Sequence, residues 1–440
     1  MSRLKTLNKT ISQMLDNIGE LVASGKLDGK EVILFGVVRE LHHIVHFLTS
    51  KGIKIAAFID NSPRKIGKAY AGIGVYSPES YLNPKKSNVA ILICSAMYQQ
   101  EQSIQIRSLG YVKNIDYFTA YKFKKPKTPL FLREIQSLKR IVSGYYIYKR
   151  IMNGLPKNAT MLLCPYAGSG DAYLIGMYLK NYIKKENIDH YIIVANGNLV
   201  KKVVKLFSFE NVVVINPSQK DKLLAAYQFL NSEKMKVKPL LFWDWRVKRN
   251  INVNRDILPL SFKDDFKYGV FELDESVVAS SPIFNENERE VDAFFDKYGL
   301  IKGKTVILAP YMGAYNGMLI SYQMWEQIVN GLKSKGYSVC TNSIGVEEPP
   351  IQGTQAVFFP LDMSVPIMDA AGGFIGIRSG FCDVISSSTC NMVVIYESVT
   401  NVIPIHYFGL KHMGLNDNAI EFEYDGTDDE AFVSQVLSHF

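Results

Sequence analysis

The sequence predicts an α/β protein built from open, largely parallel sheets, and three observations carry that prediction. Short apolar runs such as Glu31-Val32-Ile33-Leu34-Phe35-Gly36 and Thr305–Ala309 have the length and bulk of strands buried on both faces. Segments of helical periodicity separate them, and the alternation recurs to the C-terminus, as successive crossover units require. Several strands end in a glycine-containing turn that opens directly into a helix. At 440 residues the chain exceeds one core, so two or three domains of roughly 100–200 residues each are expected.

The elements follow in order. MSRLKTLNKTISQMLDNIGELV is an amphipathic helix without the apolar centre of a signal peptide. Strands are expected at 31–36, 53–59 and 89–94, with a helix at 99–109, giving a first domain over 1–118. Gly36-Val37-Val38-Arg39-Glu40-Leu41 stands where a dinucleotide fingerprint belongs, but Val38 and Leu41 replace its second and third glycines, and the bulk opposes a pyrophosphate. Asp60 has the position of a ribose-binding acid and equally suits a turn before Asn61-Ser62-Pro63. His42, His43 and His46 share one helix without a metal-ligand arrangement.

Residues 119–155 read as a basic linker and an amphipathic helix. Between 120 and 150 lie Lys122, Lys124, Lys125, Lys127, Arg133, Lys139, Arg140, Lys149 and Arg150 against the single acid Glu134, which is the whole of the net charge of +8. The remainder is balanced, which excludes a general nucleic-acid surface. Leu132, Ile135, Leu138, Ile141, Val142 and Tyr145 recur at helical spacing, so this segment suits either an anionic membrane surface or packing on its own domains.

A third stretch, 156–300, begins with a strand at Met161–Tyr166, a turn Ala167-Gly168-Ser169-Gly170-Asp171 and a helix through Lys184. Two glycines permit close approach of a ligand, and Asp171 stands at the helix start, where an acid also serves as cap. Further strands are expected at 191–195, 212–215 and 239–242. Trp243-Asp244-Trp245-Arg246 then offers an aromatic and a carboxylate suited to a sugar, or a packed loop. Lys302-Gly303-Lys304 marks the entry to 301–440, with strands at 305–309, 337–341, 356–359, 373–377 and 392–396 and helices at 322–335, 363–371 and 383–389. Its informative segment is Gly373–Tyr396, in which Arg378-Ser379-Gly380 breaks a buried strand and Asp383 opens a helix. Backbone N–H groups and a helix dipole suit a diphosphate there, and Arg378 adds either a cation for it or a partner for a nearby carboxylate. Two such turns, one presenting an acid and the other an anion site, form the geometry of a transferase.

No window approaches the roughly 20 apolar residues of a membrane span. Five cysteines without a CxxC pair, several inside apolar strands, read as buried thiols of a reducing compartment. The expected location is cytoplasmic, peripheral to the inner face of a plasma membrane.

Two resemblances add to this reading. Phe58-Ile59-Asp60-Asn61, Pro63, Lys65-Ile66-Gly67, Gly72-Ile73, Val75 and Pro78-Glu79 resemble the Rossmann-like N-terminal domains of bacterial sugar acyltransferases and polysaccharide-modifying enzymes. Residues 160–440 resemble the GT-B glycosyltransferases, nearest the lipopolysaccharide heptosyltransferases. The resemblance rests on Gly170-Asp171, on Tyr298-Gly299-Leu300 with Gly303-Lys304 and Val306–Pro310, on Trp325–Gly336, and on Ile375–Gly380. It implies two facing Rossmann-like domains, an acceptor half and a nucleotide-sugar donor half. Asp171 is then the base, and Arg378, Ser379, Gly380 and Asp383 with Pro310, Tyr311, Tyr315 and Asn316 line the donor site. Gly168, Ser169, Gly170, Trp243 and Asp244 line the acceptor cleft. Arg378 and Asp383 stand where that family has Asp and His, and Tyr315-Asn316-Gly317-Met318 lacks its lysine. Polysaccharide pyruvyltransferases are also similar, with a Gly-Asp turn and an Arg in the Ile-Gly-x-Arg position.

The expected reaction is metal-independent transfer of a sugar from a nucleotide sugar to a bacterial surface glycan or lipid-linked acceptor, with inversion and no cofactor. An exposed Asp, with a reference pKa of about 3.9, is a weak base at pH 7, so the expectation includes burial that raises it. No Asp-x-Asp element suits a metal-bound diphosphate. A pyruvyltransferase and a non-catalytic polysaccharide-assembly scaffold are the alternatives.

Overall fold

The computed structural model describes residues 2–37, 41–61, 65–70, 72–95, 98–121, 130–241, 261–312, 320–343, 348–397, 405–426 and 428–440. The chain forms two compact units: one comprises residues 1–126 with 397–404 and 423–432, the other 127–396 with 405–422 and 433–440. The α/β class predicted from the sequence is the one observed.

The first unit holds a six-stranded sheet, order β3-β4-β2-β1-β5-β6. Its strands are β1 (Glu31–Phe35), β2 (Ile55–Ile59), β3 (Ala69–Tyr70), β4 (Ile73–Tyr76), β5 (Val89–Ile93) and β6 (Tyr117–Thr119). All neighbours run parallel except β3 against β4. Val32 and Leu34 point into one cluster with Met14, Ile18 and Leu48, while Ile33 and Phe35 point into another with Ile106 and Tyr117. Burial on both faces explains why these strands read as continuous apolar runs.

The second unit holds two sheets. The four-stranded one has order β10-β7-β8-β9, with β7 (Thr160–Cys164), β8 (Tyr191–Asn196), β9 (Val212–Ile215) and β10 (Val237–Pro239) all parallel. Leu162 and Cys164 face the cluster of the helix Ser169–Lys185, and Met161 and Leu163 face a second cluster that includes Tyr148. Tyr148 belongs to the helix Leu130–Met152, so the segment read as a connector is packed into this unit. It crosses the helix Pro217–Lys234 at Gly144, where an added Cβ would stand 1.9 Å from the Lys222 carbonyl oxygen. Only glycine permits that approach. β10 begins two residues earlier than expected and ends at Pro239, so Leu240 and Leu241 of the expected 239–242 run lie beyond it, and Phe242 lies outside the described residues.

The six-stranded sheet of this unit has order β13-β12-β11-β14-β15-β16. Its strands are β11 (Thr305–Ala309), β12 (Ser338–Asn342), β13 (Gln355–Val357), β14 (Gly372–Ile377), β15 (Asn391–Glu397) and β16 (Ile420–Tyr424). The chain steps from β11 to β12 and β13 on one side, then returns to place β14 and β15 on the other. The carboxyl ends of β11 and β14 therefore flank the switch point where open α/β sheets bind ligands. A π-helical stretch, Asp265–Val270, follows a helical turn capped reciprocally by Ser261 and Asp264.

Candidate active site

The two glycine turns of the second unit are in direct backbone contact. The first follows β7: Gly168 occupies the cap position of the helix Ser169–Lys185, with extended backbone and no side-chain cap. The Asp171 carboxylate folds back over it, since a Cβ at Gly168 would lie 2.7 Å from Asp171 Oδ2. The second turn follows β14, where Ser379 precedes the short helix Gly380–Val384. A Cβ at Gly380 would stand 2.3 Å from the Gly170 nitrogen and 2.6 Å from Ser169 Oγ, and one at Gly170 would stand 2.4 Å from Asp383 Oδ2. The carboxyl-terminal turns of the two sheets thus meet at Gly170 and Gly380. The sequence reading expected one turn to present an acid and the other an anion site on two facing domains; the glycines bring the two turns into backbone contact.

Arg378 and Asp383 are correspondingly committed. Arg378 is 4% and Asp383 2% exposed. Arg378 Nη2 donates to Asp383 Oδ1 at 2.5 Å and Nη1 to Oδ2 at 3.1 Å. Nε donates to the Phe408 carbonyl at 2.9 Å, and Nη1 also reaches the Ser379 carbonyl. Desolvation works most strongly against the guanidinium charge, but Asp383, Tyr396 and Cys382 together outweigh it and Arg378 holds its proton more firmly than usual. Burial lifts Asp383 above the ordinary carboxylate range although Arg378 pulls it down. Of the two sequence readings of Arg378, the geometry supports the partner of a nearby carboxylate: its guanidinium is bonded to Asp383 and to the Phe408 and Ser379 carbonyls and braces the turn. The helix expected at 383–389 is displaced to 380–384 for the same reason, because Asp383 must sit inside the turn to receive the guanidinium.

The other side of the switch point is the segment after β11. Pro310 is buried and Tyr311 half-buried. The Tyr311 hydroxyl meets that of Tyr322 at 2.9 Å and also donates to the Pro349 carbonyl. Burial first, then the Tyr322 hydroxyl, raise its pKa, so it stays neutral. Ser321 Oγ caps the following helix, Tyr322–Ser334, by accepting the Met324 N–H at 3.1 Å. Tyr315 and Asn316, and likewise Trp243 and Asp244, lie outside the described residues.

Three further side chains of this unit, one at a strand end and two in the helical segment 262–270, were missed in the sequence. Asn196, last in β8 and 5% exposed, donates from Nδ2 to the Pro165 carbonyl at 2.9 Å, while its Oδ1 is buried without a hydrogen-bond partner. Asp265, 1% exposed, accepts from the Tyr407 hydroxyl. Lys263 is half-buried beside Gly414, and desolvation lowers its pKa against the pull of Asp264. Its neighbour Phe262 packs on Phe408 at 4.7 Å between ring centroids, and Phe408 is the residue whose carbonyl holds Arg378. The Asn-Gly pair after an apolar strand was the only sequence signal for Asn196; nothing local marks Asp265 or Lys263. Among the described residues no group of three His, Cys, Asp or Glu is placed to hold a metal ion.

No family model matches the chain, and no curated protein matches it by sequence. Several solved structures are similar at low identity, three of them as follows. A family 9 glycosyl transferase from Veillonella parvula is 14% identical with a TM-score of 0.42, over 64% of this chain and 90% of that one. The iron-containing dodecameric glycosyltransferase TibC from enterotoxigenic E. coli is 14% identical with a TM-score of 0.34, over 54% of this chain and 59% of its own. The ADP-heptose lipopolysaccharide heptosyltransferase II of E. coli is 10% identical with a TM-score of 0.33, over 93% and 98%. These are likenesses of arrangement, and the functional reading stands on the geometry of the chain itself.

Proposed function

We propose that the chain is a glycosyltransferase of GT-B type, moving a sugar from a nucleotide-sugar donor to a bacterial surface glycan or lipid-linked acceptor. The observation that carries this reading is the meeting of two parallel sheets through their carboxyl-terminal turns, with the β11/β14 switch point beside the contact. Ligand crevices of open α/β sheets lie outside such strand ends, so donor and acceptor would be held within reach of each other.

In this reading the nucleoside diphosphate lies across the segment after β11 and the Ser379-Gly380 turn, which the Arg378–Asp383 pair keeps rigid. Lys263 supplies a cation for the departing diphosphate, a role open to a half-buried lysine that forms no ion pair with another described residue. Asp171 takes the proton of the acceptor hydroxyl, and that oxygen forms its bond to the anomeric carbon. The bond from that carbon to the diphosphate oxygen breaks, its electron pair leaves with the nucleotide, and configuration inverts. No metal and no cofactor is assigned a step.

The helix Leu130–Met152 supports a membrane-bound acceptor. Gly144 and Tyr148 face its own unit, while Ile135, Leu138, Val142 and Tyr146 are 44%, 56%, 45% and 70% exposed along the opposite side. Lys139, Lys149 and Arg150 are exposed among them. Apolar side chains interleaved with cations suit the headgroup boundary of an anionic bilayer. No helix among the described residues is long and apolar enough to cross a membrane.

The test is release of nucleoside diphosphate from a panel of UDP-, ADP-, GDP- and TDP-sugars with EDTA present, using wild type and Asp171→Asn. The expected result is turnover of one donor class that falls roughly 10²–10⁴-fold in the variant. Thermal stabilisation by phosphoenolpyruvate alone would replace the reading with pyruvyl transfer, and silence towards every donor would leave the scaffold.

A further inference from the structure

The two halves of the helix Leu130–Met152 differ in what covers them. Residues 141–152 include the buried Gly144 and Tyr148, whereas 134–140 are exposed at seven consecutive positions, nearly two turns with no covered side. Two contacts set the direction of the helix. Gly144 lies against the Lys222 carbonyl, early in the helix Pro217–Lys234, and the Tyr148 hydroxyl accepts the Lys236 N–H at 3.1 Å, past the end of that helix. The two helices therefore run the same way. Pro217 follows the carboxyl end of β9 and Lys236 precedes β10, so residues 134–140 point towards the carboxyl ends of the strands. Counted back from Gly144 at about 1.5 Å per residue, the helix passes the level of Pro217 near Lys139 and rises roughly 10–15 Å beyond it. The Gly168–Asp171 turn follows β7 at that same end, and its helix covers the opposite face of the sheet.

We propose, on the transferase reading, that this projecting end enters the headgroup layer of an anionic bilayer and turns the strand ends that carry Asp171 towards it, so that the acceptor is a lipid bearing a short saccharide. Two turns without packing gain little from propensity alone, and helices are held mainly by what covers them. Ile135 and Leu138 are 44% and 56% exposed there, and Lys139 and Arg140 stand against the one acid of the stretch, Glu134. A second copy of the chain does not suit these residues. Two turns about 11 Å across offer roughly 350 Å² of wall, well under the roughly 800 Å² per partner of a stable interface. Such a pairing would also set Lys139 and Arg140 near the same two cations. A headgroup layer surrounds a projecting helix, takes up its apolar side chains and neutralises its cations. Asp171, near the strand ends, then stands within roughly 15 Å of the headgroups, a span that a short lipid-linked saccharide crosses.

The test places one fluorophore on the full chain, at Asn198→Cys beside the carboxyl end of β8 or at Lys157→Cys before the amino end of β7, both exposed positions. Energy transfer is read to a headgroup-labelled lipid in vesicles of phosphatidylglycerol and phosphatidylcholine, and the unsubstituted chain treated alike gives the background. Transfer should be several-fold stronger from position 198 than from 157, and should fall to background when Leu138→Asp is added. Should that variant not fold, Ile135→Asp, at an exposed position one turn earlier, serves instead. Equal transfer from the two positions, or stronger transfer from 157, would overturn the orientation. No transfer from either would remove the bilayer. A dimer in light scattering that Leu138→Asp converts to monomer would show the helix end covered by a second copy, and the proposal falls. Donor turnover is scored without vesicles: its absence sinks the transferase reading and leaves the orientation readable, and turnover with the opposite orientation leaves a transferase whose acceptor is held elsewhere.

Discussion

Removing Arg378 is the perturbation whose size the structure sets most closely. Its guanidinium is buried, bidentate to Asp383 at 2.5 and 3.1 Å, and bonded to two backbone carbonyls. Arg378→Ala leaves the Asp383 carboxylate uncompensated in a low-dielectric interior, which costs about 3–5 kcal/mol. For a domain of this size that lowers the midpoint by on the order of 10 °C. Replacing both partners, as Arg378→Met with Asp383→Leu, removes the desolvation of two charges together with their attraction. Such swaps are often neutral, so the double variant should recover to within about 1 kcal/mol of wild type. Urea denaturation followed by far-ultraviolet circular dichroism measures all three. An Arg378→Ala variant as stable as wild type would refute the reasoning, because the pair would then not be a buried brace. If the double variant is stable yet loses nucleotide binding, Arg378 touches the donor directly and the bracing role is wrong.

Other outcomes follow from the same geometry. Gly380→Ala sets a methyl 2.3 Å from the Gly170 nitrogen, a backbone atom that cannot swing aside, and should destabilise by about 1–3 kcal/mol or more in the same denaturation assay. Leu138→Glu with Val142→Glu should leave the melt unchanged and abolish co-sedimentation with phosphatidylglycerol vesicles; retained binding would remove the membrane role of this helix. Burial pushes the Cys164 and Cys340 thiols up to about 12 and Cys390 to about 11, so at pH 8 these groups are protonated. A chromogenic disulfide reagent should therefore react slowly with them in the native chain and with all five cysteines in guanidinium. Rapid native labelling of Cys164 or Cys340 would contradict their placement.

The strands that build the sheets were legible because burial on both faces makes them continuous apolar runs: β1, β5, β7, β11, β14 and β15 fall within a residue or two of expectation. The hairpin of β3 and β4, the short β6 and the edge strand β16 were not assigned, since edge or very short strands mix exposed and polar positions. Asp171 at a helix start and Arg378 in a turn were visible as residue types. The company they keep was not. Gly170 meets Gly380 only through the tertiary fold, and no local pattern says that Arg378 folds inward on Asp383. For the same reason the unpaired amide oxygen of Asn196 escapes sequence reading: an amide looks alike in sequence whether it faces solvent or is sealed under a strand end. Asp60 accepts the Val37 N–H and pairs with Lys65, while residues 62–64 of the turn it was expected to open lie outside the described residues.

The central claim is that a nucleotide-sugar donor sits at the β11/β14 switch point of the second unit. Hydrogen–deuterium exchange with and without the nucleoside diphosphate that stabilises the chain most, free of metal, tests it most directly. The account predicts slowed exchange in peptides covering 305–312 and 378–384, with 31–37 and 89–95 of the first unit unchanged. Protection confined to the first unit, or no protection at either strand end, would contradict it.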